Sequence, residues 1–555
     1  MNTIPIELIC DILQYYNSDY KIIGLTSKMM FFITNFLRVK HTIERLSLNI
    51  CYNPKIKLKE SIKYLILRTD NDDNIDLFND DNIDLLQSRL THIKLRDVQC
   101  KNTIIKLPQT IKYLIASNCV YNNNFILNTN NLKYLQCEKL CGNVELSQLQ
   151  ILRVNIHENN TIIYPNSLIK LYIDVTRNDI LLTNNKNLKT LKIKKLFHEC
   201  SFPNTLINLK IHLLKVKLRK LPVSLKKLEI HSTPLDTCVS FEQFPPCLEK
   251  IILYELYGAV LAKLNQTNIS SITILSPCNI KFPTFSTLPT NLISFGIGKV
   301  EKSTNLKLPK SIKILRINMG NQYWSKHNFN EGYENITHLE LRNTENIVYR
   351  YPPNVISLKI INSYYKNDEI KNLPLKLKKL QISVGYSLSL KIDDSDRHQN
   401  TSFHDDIENL QLTHIHLSCH KLLSPNILNG DMLQYIYFSG YSTEGIVFFK
   451  PAKNLKYLFL IDLPFKITEN MLPKLIKLKI MNVHDFNFNK HQLPKSLKSL
   501  ALINCGPVDF NDLQHQLPKS LKSLTLCHSG PVNLNNIPKW ITYVNIPDKK
   551  NYTFS

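Results

Sequence analysis

The chain has 555 residues, and 69 Lys plus Arg against 45 Asp plus Glu give it a net charge of +24. Its 43% hydrophobic content is enough for a buried core and excludes a disordered chain. Its 13 glycines, about a third of the usual ~7% share, exclude a collagen-like or flexible-linker protein and argue against several phosphate-cradling loops.

At about 150 residues per domain the length predicts three or four domains, unless the chain is a repeat array that grows by stacking. Residues 1–40 differ in pattern from the remainder of the chain. Ile4, Leu8, Ile12 and Leu13 fall at helical spacing, with Thr3 suited to an N-cap and Pro5 to a first helical turn. A polar break at Asn17-Ser18-Asp19 comes next. Ile22, Ile23 and Leu25 then lead into a basic-apolar helix through Lys28, Phe31, Phe32, Phe36 and Leu37. Some forty residues of short helices are marginal alone. They read either as a helical cap on the remaining chain or as a small separate domain.

From Ile43 onward a period takes over. Its frame is apolar, two residues, apolar, one residue, apolar. The frame is plainest in the near-copies Leu493–Leu502 and Leu517–Leu526, both opening Leu-Pro-Lys-Ser-Leu-Lys-Ser-Leu. Weaker copies run Leu221–Ile230 and Leu308–Ile317. Its first apolar position can be followed to Ile541, about two dozen times at ~20–22 residues. Ile111 to Leu132 is 21 residues, Leu168 to Leu188 is 20 and Leu475 to Leu497 is 22. The last two apolar positions alternate with one exposed residue, which predicts a short half-buried strand. Proline falls at the turn before that strand, where its missing N–H harms no ladder. One unit has too few inward side chains for a core, so units must stack, each buried Leu or Ile contributing roughly 1.5–3 kcal/mol. Two longer intervals, near 70–85 and 384–406, read as surface insertions.

Residues just before and between the last two apolar positions point away from the core and form two columns on the sheet face. One stretch is basic: Arg153, Lys170, Lys192, Lys210 and Lys227. Another is aromatic: Tyr435, Tyr437, Tyr457 and Phe459, with Ile436 and Leu458 inward between them. Both are candidate target-binding groups, since exposed rings bury much area with few rotors; the aromatics also fit plain strand propensity. A third column comes directly after the first apolar position and holds Lys63, Lys112, Lys133, Lys189, Lys226, Lys313, Lys378, Lys456, Lys498 and Lys522. It reads as a solubilising edge blunted by lysine, or as a positive edge toward acidic protein or nucleic acid. Aromatic and Arg interleaving is missing from that lysine column.

Chemistry is scarce. No nucleophile-elbow, zinc-protease, phosphate-loop or dinucleotide fingerprint occurs. Cys137 and Cys141 have no matching pair at zinc spacing, and Cys119, Cys505 and Cys527 fall near strand ends, where small apolar residues are needed. The acidic run Asp70–Asp84 lacks the glycine and Glu of a calcium loop. His212 and His231 read as exposed positions after strand ends. The chain is therefore expected to be no enzyme, with no metal and no cofactor.

Ile4-Pro5-Ile6-Glu7-Leu8-Ile9, Ile12-Leu13, Asp19, Leu25-Thr26-Ser27-Lys28 and Phe31-Phe32 resemble an F-box, with Ile4 and Tyr15-Tyr16 departing from the usual leucines. The remainder, about Ile43 to Ile546, resembles the FNIP repeat, a leucine-rich-repeat relative with core Leu-Pro-x-Ser-Leu-x-x-Leu-x-Leu. Together these resemble a protein type found in amoebae and giant viruses. The fold expected is a mostly-β solenoid, a leucine-rich-repeat-like right-handed array of residues 41–555 with a parallel sheet on one face, preceded by a small all-α domain at 1–40. The resemblance implies a substrate adaptor of a cullin–RING ubiquitin ligase. Ile4, Pro5, Leu8, Ile9, Ile12 and Leu13 would meet the linker subunit and the repeats an unknown protein target. A scaffold with a helical cap and no ubiquitin role, or nucleic-acid binding along the lysine edge, are the other readings. With Glu7, Asp11 and no basic leader at the start, thirteen cysteines and no apolar run near ~18 residues, the expected site is the cytoplasm (the host's, for a viral chain), with the nucleus left open and no membrane involved.

Overall fold

The computed structural model describes residues 24–25, 45–50 and 56–57 and, from 63 to 545, the strands and the turns that lead into them. Residues 1–23, 384–409 and 546–555 and most segments returning from one strand to the next lie outside the described residues. The linker-binding candidates Ile4 to Leu13 and the 384–406 insertion therefore fall outside them.

The chain divides into two compact units, Met1–Ile269 and Ser270–Ser555. In the first, described strands run from Gly24–Leu25 and Arg45–Ile50 through Ile151–His157, Lys170–Thr176 and Thr190–Leu196 to Lys250–Leu253. Each pairs in parallel with the next along the chain. The second unit repeats this from Ser271–Ile274 to Tyr543–Asn545. Each unit is thus a parallel β-solenoid, as the period predicts. Gly24–Leu25 pairs with Ser47–Leu48, where the sequence pattern expected the lead into a second helix.

Register explains the frame. Leu171, Leu191, Leu209 and Leu228 stand opposite one another on successive strands, and so do Ile173, Ile193, Ile211 and Ile230. All are buried, as is every described first apolar position from Leu90 to Ile541. Strand burial alternates with period two, so the inward residues make one continuous row of aliphatic layers within each unit.

The approach turn accounts for the polar letters of the frame. The Pro carbonyl accepts the N–H of the first apolar residue three positions on, as in Pro494 to Leu497 (3.0 Å) and Pro518 to Leu521 (2.9 Å). That is a β-turn closed in front of the strand. The Ser or Thr just before the first apolar position donates its hydroxyl to the preceding unit. Ser520 Oγ donates to the Leu497 carbonyl at 2.7 Å, Ser496 to Leu475 at 2.8 Å, and Ser311 to Leu292 at 2.7 Å. Where Asn replaces Ser, its longer amide reaches a carbonyl two residues earlier: Asn454 to Asp431 and Asn335 to Lys310, both 2.8 Å. These bonds satisfy carbonyls that the strand ladder has not yet reached.

Two features were not anticipated. Short parallel pairings lie outside the main sheets: Ile56–Lys57 with Ile83–Asp84, Gln99–Cys100 with Val120–Tyr121, Ile104–Ile105 with Ile126–Leu127, Ile180–Leu181 with Cys200–Ser201, and Ile446–Val447 with Phe465–Lys466. The stretch read as an insertion near 70–85 thus contains one of these two-residue strands. At the far end of the strands, Asp462, Asn482 and Asn504 take positive φ of 59°, 58° and 53°. Their N–H groups donate to Met481, Ile503 and Cys527 of the next turn. Asn and Asp tolerate this left-handed conformation better than other side chains.

Candidate protein-interaction face

The outward columns of the sheet face carry the functional candidates. Strand register sorts the basic stretch: Arg153, Lys192 and Lys210 share one column, while Lys170 and Lys227 share the neighbouring one. Tyr172, which sequence reading passed over, stands between Arg153 and Lys192. The Arg153 guanidinium lies 4.6 Å from its ring centroid and 5.9 Å from that of Tyr134, and Lys192 Nζ lies 5.1 Å from the Tyr172 centroid. Above them Tyr64, His92 and Tyr113 stack at 4.3 and 4.2 Å, and Tyr113 meets Tyr134 at 6.1 Å. Tyr64, His92, Tyr113 and Tyr134 thus share the column of Lys170, and Arg153 on the neighbouring column reaches across to Tyr134. Burial, then the charge of Lys112, pulls the His92 imidazole below its ordinary value.

The basic stretch ends in an internal ion cluster. Glu229, only 6% exposed, meets Lys227 at 2.6 Å and Lys210 at 2.9 Å, and His231 Nε2 lies 3.5 Å away. Burial alone would raise its carboxyl, but hydrogen bonds from Lys227 and Lys210 outweigh that and hold it at about 2. Lys210 and Lys227 are therefore engaged within the fold. His212 lies inside the strand Asn208–Leu214, not after its end, and stacks on His231 at 4.8 Å. Exposure was right for His212, but His231 is half-buried.

In the second unit the four predicted aromatics come together. Tyr435 and Tyr457 share one column, Tyr437 and Phe459 the other, and Ile436 and Leu458 point inward, fully buried. Tyr435 lies 5.5 Å from Phe459 and Tyr437 lies 6.4 Å from it. His414 and His416, which sequence reading missed, extend both columns, stacking on Tyr435 at 5.8 Å and on Tyr437 at 4.0 Å. Burial, then the charge of Lys359, lowers the His416 pKa. Elsewhere on this unit Arg316 reaches Ser294 Oγ at 3.1 Å and Glu340 at 3.5 Å, and Arg342 meets Glu340 at 2.6 Å. Gly296 makes room there: a Cβ on it would sit 2.9 Å from Thr273 Cγ2.

The lysine column lines the edge where each strand begins. Lys112, Lys189, Lys226, Lys313, Lys378, Lys456, Lys498 and Lys522 are exposed, and Lys226 is ion-paired with Glu249 at 2.7 Å. Cys137 and Cys505 are buried, Cys200 and Cys527 half-buried, Cys247 exposed, and none of these five is in a disulfide. Among the described residues no group of three or more His, Cys, Asp or Glu could hold a metal, and no helix is long and apolar enough to cross a membrane.

No protein-family model matches the sequence, and no curated protein matches it. Among solved structures, the chain is similar to CroV588, described as a circular leucine-rich-repeat protein, with 18% identity over 90% of this chain and 72% of that one and a TM-score of 0.36. It is similar to YopM from Yersinia enterocolitica WA-314 with 15% identity over 98% of this chain and 100% of that one and a TM-score of 0.32. A third similar structure is TLR13 in complex with ssRNA13, with 15% identity over 83% and 74% of the two chains and a TM-score of 0.42.

Proposed function

We propose that this protein is a non-catalytic interaction adaptor, the target-recognition subunit of a cullin–RING ubiquitin ligase. The observation that carries the interaction half is the sheet face. It presents rings in register on successive strands at His414–Phe459, and again at Tyr64–Tyr134, backed by a buried aliphatic core. Rings held this way lose little rotamer freedom on binding, which is what an interface hot spot requires. The ligase half rests on the F-box resemblance of residues 3–40. There, Ile4, Pro5, Leu8, Ile9, Ile12 and Leu13 are the residues that the resemblance assigns to the linker subunit.

Affinity capture of the full chain from host cells, with detection of the linker subunit, tests this reading. Linker capture is expected from the native chain and lost in Leu8→Asp or Ile12→Asp while the array stays folded. Absence of the linker from the native chain removes the ligase role and leaves a scaffold with capping helices. A second reading, nucleic-acid binding along the exposed lysine column, predicts affinity that falls steeply with salt; salt-insensitive binding excludes it.

A further inference from the structure

The charges of the first unit's sheet face are unequally used. Lys210 and Lys227 close on Glu229, Lys194 on Asp174 at 3.3 Å, and Lys226 on Glu249. Arg153, Lys170 and Lys192 are exposed. Among the described residues no carboxylate pairs with any of these three. They are neighbours: Lys170 lies two residues before Tyr172 on the strand between those of Arg153 and Lys192.

Arg153 is also held in place. Strand order sets Tyr134 and Tyr172 on opposite sides of its guanidinium. Ring contacts of this kind contribute about 0.5–1 kcal/mol each at exposed sites. They restrain a side chain that otherwise loses much rotamer freedom on binding. A guanidinium flanked by rings keeps its N–H fork for a planar anion, which it can meet with two parallel hydrogen bonds. Three adjacent cations with no carboxylate partner among the described residues repel one another until a negative partner arrives.

We propose that this patch docks an acidic, extended segment of a protein partner, with Arg153 clasping one carboxylate and Lys170 and Lys192 meeting its neighbours. The proposal rests on the interaction-adaptor reading and specifies the target's chemistry. Single-stranded nucleic acid carries the same charge sign but needs open ring faces on which bases stack. Beside these cations both rings are flanked: Tyr134 lies between Tyr113 and Arg153, and Tyr172 between Arg153 and Lys192. Carboxylates need only the cations, so charge complementarity favours an acidic peptide.

The test is fluorescence anisotropy on the full chain with a short fluorescein-labelled peptide of alternating Glu and Ser. Its Gln-for-Glu analogue and a labelled oligothymidylate are the comparison probes. The acidic peptide is expected to bind and the Gln analogue not. Arg153→Ala should weaken binding about tenfold or more, and Arg153→Lys should show most of the same weakening, because charge without the fork is not enough. The double variant Lys313→Gln, Lys378→Gln, a larger charge change on the second unit's lysine edge, should stay within about twofold. Equal weakening by that double variant would show a diffuse field of the whole molecule and overturn the site. So would unchanged binding in both Arg153 variants, or tighter, Arg153-dependent binding of oligothymidylate. Linker capture reports separately: a chain that captures the linker but not the peptide loses only this docking site, and the reverse result removes only the ligase role.

Discussion

Glu229 is the buried carboxylate on which the first unit's charge arrangement turns. Its ordinary pKa near 4.5 falls to about 2 in the folded protein. The folded state therefore binds fewer protons than the unfolded one in this range. The stabilisation it brings is fully present above about pH 5 and is lost as pH falls through about 2. Glu229→Gln keeps the shape and removes the charge, so it should destabilise the first unit at neutral pH by about 1–2 kcal/mol, given that Lys227 remains partly hydrated. The gap between native and variant denaturation midpoints should close as pH drops from about 5 toward 2. A gap that stays constant over that range would mean the carboxylate is not ionised in its lysine pocket. Asn504 makes a second residue-level case. With φ at 53°, its amide Nδ2 donates to Asn482 Oδ1 at 2.9 Å. Asn504→Ala should cost about 1–3 kcal/mol, combining left-handed strain with a lost hydrogen bond. Asn504→Gly, which relieves the strain, should cost less; the opposite order in thermal melts would place the stabilisation elsewhere.

Elements in this protein are joined by small polar groups as much as by leucines. Ser496 and Ser520 each donate to the first apolar carbonyl of the preceding unit from a partly buried position. Replacing both by Ala should lower stability by about 1–3 kcal/mol in denaturant melts, since each leaves a carbonyl without its donor. Thr at the same positions should be nearly neutral, because Thr110 makes the same bond to Leu90 at 2.6 Å. Equal losses for Ala and Thr would point to crowding instead. The aliphatic frame was legible in the sequence because burial on a strand repeats every second residue and the unit repeats every twenty or so. The four aromatics at Tyr435 to Phe459 were legible for the same reason. The rest depends on register between turns of unequal length. Tyr172 beside Arg153, Glu229 beside Lys210, and His416 against Tyr437 are cross-strand neighbours that no local spacing reveals. The two-residue outer strands carry too short a pattern to register at all.

At the scale of the whole molecule, a solenoid's stability is a sum over neighbouring turns. Among the described residues, each main-sheet strand in the second unit pairs only with the main-sheet strands on either side of it. Damage should therefore spread over nearby turns and fade, unlike the all-or-none loss of a small globular core. Leu341 is fully buried, between Ile317 and Ile360 on the flanking strands. Leu341→Asp puts a charge there with no partner, a cost of several kcal/mol. Hydrogen exchange read by mass spectrometry should show protection falling in Ile314–Asn318, His338–Arg342 and Ser357–Ile361. In Ser499–Ile503 and Ser523–Cys527, several turns away in the same unit, rates should stay within about twofold of the native chain. Uniform loss of protection across the second unit would mean that its turns share one cooperative core, and the additive account of this array would fail. Local loss would confirm that the sheet face can keep its binding geometry in one region while another is altered, which is the property a long recognition surface needs.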